Sequence, residues 1–131
     1  MDDTIDEEFL RISKDDWLEL IAFIPEIEKA DYSSVKTGWD YPEIVGRFHE
    51  FVYDKNMVLL FDWPKWVEAR ELLDDKNADY SELDLKTLTK LITVIVRNNR
   101  FSTGFLGGCF EDGIILKILY RIQRIISYDN I

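Results

Sequence analysis

Residues 97–113, RNNRFSTGFLGGCFEDG, hold four of the chain's six glycines, two arginines and an acidic pair, and how they are read decides the fold. A phosphate cradle would need a strand in front of it and would point to an α/β fold. A tight joint between helices would point to an all-α fold. The details favour the joint. G-F-L-G-G is neither GxGxxG nor GxxxxGK[ST], no strand-like run precedes it, and no lysine follows the last glycine to reach a phosphate. Phe101, Phe105, Leu106, Cys109 and Phe110 instead recur at helical spacing, which predicts a short helix capped by Ser102. Asn98 and Asn99 suit a left-handed end to the helix before it, and Gly113 suits the position that ends the short one. Gly104, Gly107 and Gly108 would then lie inside the short helix, each at a cost of about 1 kcal/mol relative to alanine. Such glycines are expected where another backbone must come close.

Outward from this joint the pattern stays helical. Asp84 can cap a long helix whose core face is Leu85, Leu88, Leu91, Ile92 and Ile95. After Gly113, Ile115, Ile118, Leu119, Ile122, Ile125 and Ile126 form one stripe of a final helix. Upstream, Thr4 and Glu7 fit a capping box for a helix over Ile5–Ile12. Ser13 can cap a second helix carrying Trp17, Leu20, Ile21 and Ile24, which Pro25 ends or kinks near Phe23. Residues 36–42 read as a loop. Pro42 suits the first turn of a helix with Val45, Phe48 and Val52 on one face. MVLLF at 57–61 is too short to type by period; it is a buried extended connector or the only strand. Asp62 is the natural cap of a further helix that runs through Trp63, Pro64, Trp66, Val67, Arg70 and Leu73, before a polar loop over Asp74–Asp79. The expectation is one all-α domain over 1–131, a bundle of five to seven helices with at most one short extended segment near 57–61, and with room for a mobile N-terminus.

Composition limits function. A chain of 131 residues with 47% hydrophobic content is long enough to bury a core. No apolar run reaches the roughly 18 residues of a membrane span, the start is acidic rather than signal-like, and the single Cys109 allows no internal disulfide. A cytoplasmic setting without membrane contact is expected. The net charge of −10 is unevenly spread. Residues 1–31 hold eleven acids against three bases, and residues 32–83 eleven against six. Residues 84–131 hold four acids against seven bases. Direct nucleic-acid binding is not expected of so acidic a chain, because that affinity comes from neutralising phosphates. In the final helix Lys117, Arg121 and Arg124 form one basic stripe, read as a solvated face because few side chains beside it could read base edges.

Several residues are candidates for chemistry. Arg97 and Arg100 share a helical face, and Glu111 and Asp112 can return to them from the next helix. The set makes either an ion-pair network that fixes the joint or an arginine fork for a phosphate or carboxylate. Trp63 and Trp66, with Trp39 in the preceding loop, make either core or an aromatic pocket. His49 has no second ligand at metal spacing and no nucleophile near it, so no metal, cofactor or catalytic residue is expected. Cys109 reads as an inert buried thiol. The neighbouring carboxylates Asp15/Asp16 and Asp74/Asp75 cannot face each other on a helix and suit no acid–base pair.

The stretch TLTKLITVIVRNNRFSTGFLGGCFEDGIILKILYRI resembles the C-terminal signature of a family of small, mostly bacterial proteins of unknown function. That signature is a TLxKLLT helix, an arginine, a D-R-F-x-E-G turn, an F-E-x-G joint and an I-x-x-I-L-x-R helix. Thr87, Leu88, Lys90, Leu91 and Thr93 match its first part, and Arg97, Arg100, Phe101 and Gly104 its middle. Phe110, Glu111, Gly113, Ile118, Leu119 and Arg121 match its end. An upstream V-x-x-F…FDWxxW pattern falls on Val45, Phe48, Phe61, Asp62, Trp63 and Trp66. The resemblance implies no activity. Asn99 and Thr103 depart from it, standing where the family has acids.

Two functions remain open from the residues. The first is a small acidic interaction or regulatory protein without catalysis, meeting a basic protein partner through its acidic N-terminal two-thirds, with Asp15, Asp16 and Glu19 as contacts. The alternative binds a small anion or nucleotide, as a binding protein or weak enzyme, through Arg97, Arg100, Glu111, Trp63 and Trp66. Homo-oligomerisation through unlike charged ends is compatible with either.

Overall fold

The computed structural model describes residues 3–33, 41–75, 77–102 and 104–129. Its elements are α1 (Asp3–Leu10), α2 (Lys14–Ile21), α3 (Ile24–Lys29), α4 (Glu43–Asp54), a 3-10 turn (Trp63–Lys65), α5 (Val67–Asp74), α6 (Leu85–Asn98), α7 (Phe105–Glu111) and α8 (Ile114–Asp129). Among the described residues there is no strand, and the fold is an all-α bundle. Only two turn residues separate α2 from α3, and Pro25 in the first turn of α3 causes the break, since it cannot continue the hydrogen-bond ladder.

The centre of the bundle is α6. Its residues Leu88, Thr89 and Leu91 to Val96 are all buried, so this helix is covered on nearly every side. Asp84 accepts a hydrogen bond from the Thr87 backbone and caps it, as its sequence position predicts. Along α8, Ile115, Ile118, Leu119, Ile122 and Ile126 are buried, and the helix packs on α2, α3, α6 and α7. Phe48 of α4 lies edge-on to both Phe23 and Phe110 and closes the core over α7.

Among the described residues Thr89 and Thr93 are the buried polar ones. The Thr89 hydroxyl donates to the Leu85 carbonyl at 2.7 Å and that of Thr93 to the Thr89 carbonyl at 3.0 Å. Thr93 also accepts from the Leu59 backbone N–H at 2.9 Å. The 57–61 segment is not a strand but a connector whose Met57 and Leu59 are buried, with a side chain of α6 satisfying a backbone N–H that a neighbouring strand would otherwise take. Its next backbone N–H, at Leu60, donates to the Glu8 carboxylate. In α1, Ile5 is buried and Phe9 lies against Trp17 of α2.

Several local expectations are corrected. α1 begins at Asp3, so Thr4 lies within it instead of capping it; the Ser13 capping box, closed by Asp16, is present. On α4 it is Ile44, with Phe48 and Val52, that is buried, and Val45 is only half-buried. Asp62 makes no capping bond, and the helix expected from it is broken at Trp66, whose extended ψ separates the 3-10 turn from α5. The predicted loop over 36–42 and Trp39 lie largely outside the described residues.

Candidate functional site

The joint itself differs from its sequence reading. Asn99 has φ −60° and is not left-handed; among the described residues the only non-glycine with positive φ is Asn56. The turn is made by Gly104, φ +88°, which precedes α7 and caps it without a side chain. The Asn99 side chain compensates, accepting from the Leu106 N–H at 3.0 Å. Ser102 therefore does not cap α7, and Phe101 lies outside the helix, 79% exposed. Gly113, φ +82°, ends α7 as expected. Of the two internal glycines only one is closely packed, and it is a side chain, not another backbone, that comes close. A β-carbon at Gly107 would fall 2.3 Å from the Tyr41 ring, whereas Gly108 faces open space.

The turn at Gly104 resets the chain direction, so spacing counted across it does not carry over. Glu111 lies against Tyr41, accepting from its hydroxyl at 3.4 Å, and makes no salt bridge with Arg97 or Arg100. Among the described residues neither arginine has a salt-bridge partner, and neither Glu111 nor Asp112 joins an ion-pair network. Burial, and next the charge of Glu111, holds the Tyr41 phenol above its usual range.

Both arginines instead line an open groove of about 410 Å³ with Leu59, Leu60, Phe61, Trp63, Pro64 and Phe101. The Arg97 guanidinium lies 5.9 Å from the Tyr53 ring centroid, which steadies it; Arg100 is exposed. The groove walls come from three elements. The connector supplies Leu60, the 3-10 turn supplies Trp63, and the end of α6 with the residues after it supplies the arginines and Phe101. Trp63 and Phe101 have centroids 6.4 Å apart. Trp63 and Pro64 also wall a second groove, of about 420 Å³, with Trp66, Val67, Arg70 and Leu73 on one side and Val94, Asn98 and Phe105 on the other. Trp66 packs edge-on to Phe61 and carries Lys90 4.3 Å from its ring; the two tryptophans share the second groove, and Trp63 alone also borders the first.

The acidic candidates are partly committed. Lys55 sits between Asp16, at 3.7 Å, and Glu19, at 3.5 Å, while Asp15 is exposed. Arg47 pairs with Glu26 and Glu43, and Lys86 with Asp6. The His49 and Tyr53 rings are tilted to one another with centroids 5.0 Å apart. Desolvation pushes the buried Cys109 thiol up to about 12, so it stays protonated and unreactive. Among the described residues no three His, Cys, Asp or Glu side chains gather as a metal would require, and no helix is long and apolar enough to cross a membrane.

The α8 stripe also needs correction. Lys117 donates to the Ala78 carbonyl at 3.3 Å and Arg121 to the Leu83 carbonyl at 2.9 Å, both half-buried, so they tie down the 78–83 segment and do not form a solvated face. Arg124 is the exposed member.

A family model described as a family of unknown function, DUF6508, matches residues 12–128. The chain belongs to DUF6508. No curated protein and no solved structure matches it. In this DUF6508 chain the match takes in both grooves and leaves out all of α1. Phe101 and Leu60 are among the groove residues that the sequence did not single out for binding; both sat in apolar patterns that pointed inward.

Proposed function

We propose that this DUF6508 protein works by binding, not catalysis, and that its working surface is the groove of Arg97, Arg100, Trp63 and Phe101, which takes an anionic group joined to an apolar body. One observation carries this reading: two arginines with no acidic partner among the described residues converge on an apolar groove. A guanidinium left over in this way offers a planar fork to a carboxylate or phosphate, and the aromatic wall offers apolar area beside it. Glu111 is not part of the proposed site. Cys109 is kept protonated and supplies no nucleophile. The buried free thiol fits a reducing compartment, and the cytoplasm is the setting proposed.

The test is a thermal-shift panel of nucleotides, sugar phosphates and acidic peptides, with Arg100→Ala alongside. A ligand at about 100 times its Kd stabilises by about 2.7 kcal/mol. A shift present in the wild type and absent in Arg100→Ala supports the groove; a shift of equal size in both rejects it.

A second reading keeps the acidic front as the surface for a basic protein partner. The excess of eleven acids over three bases in residues 1–31, with Asp15 and Glu19 exposed, supports it. Asp16 is a poor probe because it also closes the α2 capping box. Asp15→Asn/Glu19→Gln, compared with the wild type in pull-downs at low and high salt, separates this reading from the first. A head-to-tail association of the acidic front with the groove of a second copy would show in light scattering.

A further inference from the structure

Resting on the groove reading above, we propose that the natural occupant is a short acidic segment of a partner protein, with its carboxylates toward one end and large apolar side chains beside them. The shape argues against a small anion alone. The two grooves are open and adjoin across the Trp63–Pro64 wall, so together they form an elongated surface that a single phosphate would leave mostly uncovered. Large apolar side chains stand exposed along it: Leu60 at 62%, Phe101 at 79% and Val67 at 64%. Exposed apolar residues scattered singly need no explanation, but here they border continuous grooves.

The charge selects the occupant. Arg97 and Arg100 line the first groove and Arg70 the second, and none has a salt-bridge partner among the described residues. Asp74 also lines the second groove and repels carboxylates there, so those of the segment belong at the Arg97/Arg100 end and its apolar anchors across Trp63. The rest of the chain carries the large acidic excess, which repels an extended polyanion such as nucleic acid but leaves room for a short acidic stretch on this patch. A second copy docking the same surface against itself would bring like arginines together, which disfavours a symmetric dimer here.

The experiment is selection of a random-peptide display library on the full chain. Enriched peptides are then titrated by fluorescence anisotropy against the wild type, Arg97→Gln/Arg100→Gln and Phe101→Ser. All three substituted residues are at or near the surface, and circular dichroism checks that each variant is folded. The expected result is enrichment of peptides combining Asp or Glu with Phe, Trp or Leu, with affinity falling at least about tenfold in each variant and weakening with salt. Basic or uncharged winners, or no enrichment at all, overturn the inference. Acidic winners that bind all three proteins equally overturn the groove reading as well. A nucleotide that stabilises the wild type but not Arg100→Ala, with no peptide enriched, leaves the groove reading standing and removes the peptide. A dimer broken by Phe101→Ser would make a second copy the occupant and would also overturn the inference.

Discussion

Two pairs of cations, Lys117/Arg121 on α8 and Arg97/Arg100 at the end of α6, look alike as sequence and end differently. Lys117 and Arg121 reach over a segment without helix or sheet, whose carbonyls at Ala78 and Leu83 have no ladder to bond to. They satisfy those acceptors and are used up in holding the fold. Arg97 and Arg100 reach a wall of Trp63, Leu60 and Phe101, where among the described residues they make no side-chain hydrogen bond and no ion pair. What separates structural cations from available ones is therefore the chain opposite them, which spacing along a helix does not reveal. The same contrast runs through the molecule. Around α6, threonines and the Asp84 cap all find partners, while the surface between the 3-10 turn and the end of α6 keeps both charge and apolar area unspent.

The strongest way to sharpen this contrast is to make one change in each region. Phe48→Ala removes a fully buried ring packed on Phe23 and Phe110 and should cost about 3–5 kcal/mol in chemical denaturation, whereas Phe101→Ala should stay within about 0.5 kcal/mol. Next, Thr93→Val keeps the shape but leaves the Leu59 N–H buried without its acceptor, and a loss of about 1–3 kcal/mol is expected. If Thr93→Val were neutral, the connector would not depend on α6 as described.

Asp84→Ala should cost about 0.5–2 kcal/mol near neutral pH through the lost cap. Its hydrogen bonds from Thr87 hold the Asp84 carboxyl below its usual range. That contribution is present above the ordinary carboxylate pKa and disappears as pH falls through the folded value, so wild type and variant should converge in acid. The smallest effects separate two adjacent glycines. Gly108→Ala should stabilise α7 by up to about 1 kcal/mol, because its β-carbon meets nothing. Gly107→Ala must displace Tyr41, and the strain of overpacking, about 1–3 kcal/mol, offsets that gain.

Most of the architecture was legible in the sequence because it rests on local chemistry. Ser13 and Asp84 are caps with their partners three residues on, Pro25 breaks a helix by geometry, and the stripes of α6 and α8 follow the helical period. The site was less legible because it depends on a change of direction. Phe101 fits the apolar face of α7 on paper, but the left-handed turn at Gly104 separates it from that helix and exposes it. The same turn takes Glu111 away from Arg97 and Arg100. Trp63 and Trp66 were paired by spacing and do share the second groove, but the break at Trp66 leaves only Trp63 on the first. No one-dimensional pattern marked Lys117 or Arg121 as staples, since their acceptors are backbone carbonyls of a distant loop.

The most direct measurement is thermal denaturation of Arg97→Gln/Arg100→Gln beside Lys117→Met/Arg121→Met. If the α6 arginines are left for an outside partner, the first variant keeps the wild-type stability to within about 0.5 kcal/mol while the second loses about 1–3 kcal/mol. A loss in the first variant as large as in the second would make Arg97 and Arg100 structural ties and contradict the account.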